Sequence, residues 1–124
     1  MQVRERNFEM YFEEINPMPR RYAEAIFEQG NAEKIEEALL RVTFHDEDWR
    51  WVQSYCLKFL THPDKDVRAV AAVCLGHLAC IHGTLDVAVV VPALKALLTD
   101  PDVAGKASDA LDDIAMFVRN KKEA

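Results

Sequence analysis

Apolar residues recur at spacings of three, four and seven along nearly the whole chain, and no stretch alternates with period two between turn residues. A helix gathers such spacings on one face, whereas a strand gathers every second residue, so the pattern predicts α-helices throughout. The expected spans are 3–15, 20–29, 32–42, 48–60, 65–81, 87–98 and 103–119. The intervals between them carry the chemistry that ends helices: Asn16-Pro-Met-Pro19, Gly30-Asn31, the acidic run after His45, His62-Pro63-Asp64, His82-Gly83 and Asp100-Pro101-Asp102. These supply cap acceptors, prolines that cannot continue a helix, and glycines.

The helix over 65–81 places Ala71, Ala72, Cys74, Gly76 and Ala79 where an ordinary amphipathic helix carries leucine. Small side chains let helix axes approach closely, so this helix is expected to be touched on more than one side. Internal repeats explain why. Thr43–Leu60 aligns with Thr61–Leu78 at an offset of eighteen, pairing Asp46 with Asp64, Asp48 with Asp66, Arg50 with Arg68, Val52 with Val70, Cys56 with Cys74 and Leu57 with Leu75. At an offset of thirty-six, Val103, Ala107, Leu111 and Ala115 fall on Val67, Ala71, Leu75 and Ala79. A unit of about thirty-six to forty residues, two helices and a Pro-Asp turn, predicts stacked helix pairs. The expected fold is all-α, a short right-handed α-solenoid of about seven helices forming a single domain over 1–124. Within it, 1–42 are capping helices, 43–118 repeat units and 119–124 a tail. Val67, Ala71, Cys74, Leu75, Leu78, Leu94, Leu98, Val103, Ala107, Leu111 and Ile114 are its expected core.

With proline early in a first helix and Asp-Pro-Asp at its end over the stretch Val89–Asp102, and Asp66–Leu78 as a second helix, the stretch 43–118 resembles HEAT repeats. The resemblance implies antiparallel helix pairs and a polar ladder between units, here Arg50 and Arg68 with Asp46 and Asp64 or a carboxylate of the neighbouring unit. Ala104 stands where the last unit would carry arginine, so that unit reads as a terminal cap.

Charge narrows the function classes. Fifteen Lys and Arg against twenty-one Asp and Glu leave a formal charge of -6, which opposes binding to phosphate backbones and excludes nucleic acid as an expected partner. No apolar run is long enough to span a membrane. Three cysteines without CxxC spacing read as free thiols of a cytoplasmic protein. Cys74 and His77 share a helical face, but a zinc site wants four converging ligands, and the equivalence of Cys56, Cys74 and Ala110 points to small core residues. No glycine-rich phosphate loop and no nucleophile with base and oxyanion donors is visible, so neither enzyme chemistry, metal nor cofactor is expected.

The positions between the core residues hold Trp51, Tyr55 and Phe59 in one unit, Ala69, Val73 and His77 in the next, and Gly105, Asp109 and Asp113 in the last. If the units stack, these form columns on one face, running from aromatic to acidic. The candidate partner-binding set is therefore Trp51, Tyr55, Val73, His77, Asp109, Asp112, Asp113 and Met116. For the aromatics, packing beneath the N-terminal helices is an equal alternative. The acids are expected on the surface, because unpaired buried carboxylates are costly. In the N-terminal segment Phe8, Tyr11, Phe12 and Ile15 form a stripe that would cap the stack.

Together these features imply a non-catalytic scaffold, monomeric when free, that offers an acidic face to one basic protein partner. In size and charge it resembles immunity proteins that sequester basic nuclease toxins in bacteria, whose acids would stand in for the phosphates a toxin expects. Other HEAT-like proteins act as DNA glycosylases, as bilin lyases and their assembly factors, or as adaptors. A glycosylase needs a basic groove, and a bilin-handling protein would need Cys80 exposed beside an apolar cleft.

Overall fold

Three helix starts in this chain are fixed by side-chain oxygens that accept the first free N–H groups of the helix. The structure, a computed structural model, describes residues 16–118; the helix expected over 3–15 and the tail 119–124 lie outside them. Among the described residues the helices are α1 (Arg20–Gln29), α2 (Ala32–His45), α3 (Trp49–Phe59), α4 (Lys65–His82), α5 (Val87–Ala96) and α6 (Ala104–Phe117), with a 3-10 turn at Leu97–Thr99. Asn31 Oδ1 accepts from the Lys34 N–H at 2.9 Å, and Asp48 Oδ1 accepts from Trp51 at 3.2 Å. Asp64 Oδ1 accepts from both Asp66 and Val67 at the start of α4. At the other end of α4, Gly83 adopts the left-handed conformation, φ 67°, which glycine reaches without steric cost.

The Asp-x-Asp turns share one geometry. In each, the first aspartate accepts from the N–H two residues on: Asp46 from Asp48 at 2.8 Å, Asp64 from Asp66 at 2.8 Å and Asp100 from Asp102 at 3.0 Å. The expected arginine ladder is realised differently from the repeat register. Arg68 Nε donates to Asp100 Oδ2 at 3.2 Å, a carboxylate of the following unit, while its Nη1 donates to the carbonyls of His62 and Pro63. Asp46 and Asp48 are held by Arg20, whereas Arg50 lies over the Trp49 ring at 4.5 Å and makes no ion pair among the described residues. The carry-over therefore holds at Arg68 and fails at Arg50, whose place beside Asp46 is taken by a residue of α1.

The helices form two layers. α4 lies between α2 and α6 in one, and α1, α3 and α5 stand behind. α3 meets α1 through Phe27, Tyr55 and Phe59, and the buried Gln53 of α3 accepts the Asp86 N–H that opens α5. Val67, Ala71, Cys74, Leu75 and Leu78 of α4 are fully buried with Val52, Val90, Leu94 and Ala107. Burial of this kind is worth about 25 cal/mol per Å² of apolar surface, so α4 carries the largest share of the core. A Cβ on Gly76 would lie 3.3 Å from the Ala110 Cα and 2.8 Å from Asp113 Oδ2, which accounts for the small residues of α4 as close approach to α6.

Two expected core residues are corrected. Leu98 is 43% exposed and Leu111 is half-buried. α5 ends at Ala96 and tightens into a 3-10 turn with three residues per turn, so Leu97 takes the inward position that four-residue spacing from Leu94 assigns to Leu98.

Candidate acidic and apolar face of the front layer

Val73 and His77 project from the face of α4 that its neighbours leave partly uncovered. With Leu40 and Phe44 of α2, Ala69 and Val70 of α4 and Lys106 of α6 they line an apolar groove of about 310 Å³. The Phe44 and His77 rings stand 5.0 Å apart. Burial holds the His77 imidazolium below the usual histidine range, partly countered by Asp113. Burial also pushes the Asp113 carboxyl up, with Asp109 and Asp112 adding to the rise and His77 opposing it. Each member of the pair is thus biased toward its neutral form.

Asp113 therefore differs from its neighbours. Its carboxylate covers Gly76 and is half-buried; Asp109, Asp112 and Met116 are exposed, Met116 at 71%. Of the α6 members, Asp113 meets α4 beside Gly76 and His77, while Asp109, Asp112 and Met116 lie on the solvent side of α6.

The aromatic members stand apart from both. Trp51 Nε1 donates to Glu24 Oε2 at 3.2 Å, and the Arg20 guanidinium lies 4.4 Å from its ring centroid. The Tyr55 ring is 4.5 Å from that of Phe27, and Phe59 is buried 5.4 Å from the same ring. Burial pushes the Tyr55 phenol up, helped by Glu24 and Glu28. An offset of eighteen residues is one helix, and successive helices alternate between layers; columns persist at an offset of thirty-six alone. The proposed column from Trp51 and Tyr55 to Val73 and His77 thus fails, and the alternative reading, packing against the N-terminal helices, describes α3. The true neighbours of Val73 and His77 are Leu40 and Phe44, which the sequence reading passed over. Their signal was present as Glu36, Leu40 and Phe44 at four-residue spacing on α2.

Cys56 and Cys74 are buried, and the hydrogen bond from the Cys56 thiol to Cys74, with desolvation, pushes that thiol well up. Such thiols are poor metal ligands and nucleophiles. Cys80 is exposed but is not among the residues lining the groove. One helical turn before Leu40 and Val70, outside the residues that line the groove, the carboxylates of Glu36, Asp64 and Asp66 lie within 4.8 Å of one another, and the Glu36 carboxyl is pushed up by burial and by Asp66 and Asp64. No helix among the described residues is long and apolar enough to cross a membrane.

Paired antiparallel helices, Asp-x-Asp turns and a layer of small residues define a HEAT-type repeat protein, and the HEAT repeat family model matches residues 52–79. A chain in the crystal structure of a CDI complex from Cupriavidus taiwanensis LMG 19424 superposes with a TM-score of 0.74 at 34% sequence identity, covering 82% of this chain and 91% of that one. The present chain belongs to the same family as that chain. No curated protein sequence matches it.

Proposed function

We propose that this chain is the immunity protein of a contact-dependent inhibition pair, a non-catalytic scaffold that neutralises a basic toxin domain by occluding its working surface. The observation that carries this reading is the kinship at 34% identity with a chain of a CDI complex. The exposed acids of α6 fit it. Asp109 and Asp112 are exposed on α6, the chain carries a formal charge of -6, and an acidic surface speeds and orients the approach of a basic partner. Occlusion needs no reacting group on this side of the interface, in keeping with buried, protonated Cys56.

The test uses the purified product of the reading frame immediately upstream, titrated against wild type and against Asp109→Lys with Asp112→Lys. Asp113 is left alone, because its carboxylate packs on Gly76 and reversal there would disturb the fold. We expect at least a tenfold loss of affinity, about 1.4 kcal/mol, with the melting temperature unchanged and the difference shrinking as salt shortens the screening length below about 8–10 Å. Absence of wild-type binding refutes the immunity reading; wild-type binding that the double reversal leaves intact removes α6 from the interface.

A further inference from the structure

The groove has polarity along its length. Leu40 and Phe44 stand one and two helical turns beyond Glu36 on α2, about 6 and 12 Å along the axis, and Ala69 and Val73 stand likewise beyond the start of α4. Just outside that near end Glu36, Asp64 and Asp66 bring three carboxylates within 4.8 Å, and none of the three makes an ion pair among the described residues. Lys106 is the one cationic residue among those lining the groove.

The sister turns indicate which cation suits such a site. Asp46 and Asp48 share the guanidinium of Arg20, and Asp100 and Asp102 share that of Arg68. Asp64 and Asp66 repeat the same turn, with the same hydrogen bond at 2.8 Å, but face Glu36 of α2 in place of an arginine. A planar guanidinium offers its donors in a fixed fork and is weakly hydrated, whereas an ammonium is a compact, strongly hydrated point charge, so the guanidinium suits crowded carboxylates better.

We propose, building on the toxin-binding reading above, that this groove anchors a partner segment carrying a bulky apolar side chain and an arginine about one helical turn apart. The apolar group enters between Leu40, Ala69 and Val70, and the guanidinium lies across Glu36, Asp64 and Asp66. The charge of the site selects a protein segment over an apolar small molecule, since three crowded carboxylates gain a counter-ion as the groove is filled. The spacing fits residues i and i+4 of a helix or i and i+2 of a strand.

Two substitutions test it, each with the purified upstream-encoded domain as probe and calorimetric titration as readout. Ala69→Phe fills the groove without removing a core atom, and should weaken binding at least tenfold. Glu36→Gln relieves like-charge crowding; only a structural role for the Glu36 carboxylate would give a lower melting temperature. The anchor role predicts an unchanged or higher one together with at least a tenfold loss of affinity. Asp64 is not altered, because it caps α4. Wild-type binding that survives both substitutions overturns the anchor site and leaves the immunity reading standing. No wild-type binding overturns that reading and the anchor with it. A lower melting temperature from Ala69→Phe without loss of affinity identifies part of this chain as the groove's occupant, and also overturns the proposal.

Discussion

Arg50 and Arg68 occupy equivalent positions in the repeat alignment yet do unequal work. Arg68 has a side chain 17% exposed, two carbonyl partners and the Asp100 carboxylate; removing it leaves these acceptors short of a donor in a partly buried turn. Arg68→Ala should therefore cost about 2–3 kcal/mol, against about 0.5 kcal/mol or less for the exposed Arg50→Ala, as chemical denaturation of the two variants would measure. The alignment gave residue type and register and left two kinds of partner open; Arg68 takes the carboxylate of the neighbouring unit, and Arg50 takes neither. His77 carries a second expectation. Its folded value is depressed by burial, so its contribution to stability is intact above the ordinary histidine value of about 6.5. That contribution is lost as pH falls from there through the lower folded value. Thermal melts between pH 7.5 and pH 5 should show a shallower decline for His77→Gln than for wild type.

Between elements, the informative contrast is between two glycines. Gly76 sits where α4 and α6 nearly touch, whereas a Cβ on Gly105 would meet nothing within 4 Å. Gly76→Val should destabilise the fold by about 1–3 kcal/mol through overpacking, and Gly105→Ala should stabilise it by about 0.5 kcal/mol through helix propensity; equilibrium unfolding distinguishes the two signs. The small residues of α4 thus announced a crowded helix in the sequence itself, and the starts of α2, α3 and α4 followed from cap residues whose side chains bind as their types require. What the pattern could not carry was layer membership. Helices eighteen residues apart look alike in periodicity because both bury one stripe, and whether that stripe faces forward or back depends on packing partners. Trp51 and Tyr55 were accordingly placed on the wrong layer, and Leu40 and Phe44 were missed. Leu98 was misplaced for a local reason, the change from 3.6 to three residues per turn after Ala96.

For the whole molecule, the acids divide by role. Asp46, Asp64 and Asp100 close turns, Asp113 covers a glycine, and Asp109 and Asp112 face solvent. A formal charge of -6 treats them alike, so composition says nothing of which face each acid occupies. Arg68 also shapes how the molecule comes apart. By chain it belongs to α4, by bonding to the turn that launches α6, so opening the last helix pair breaks a contact counted in the middle unit. In a stack where each unit touches its neighbours alone, such shared residues set the coupling between units. Without them the end pair could fray by itself; with them the array is biased to unfold as one, keeping the α4–α6 face intact until the whole domain yields.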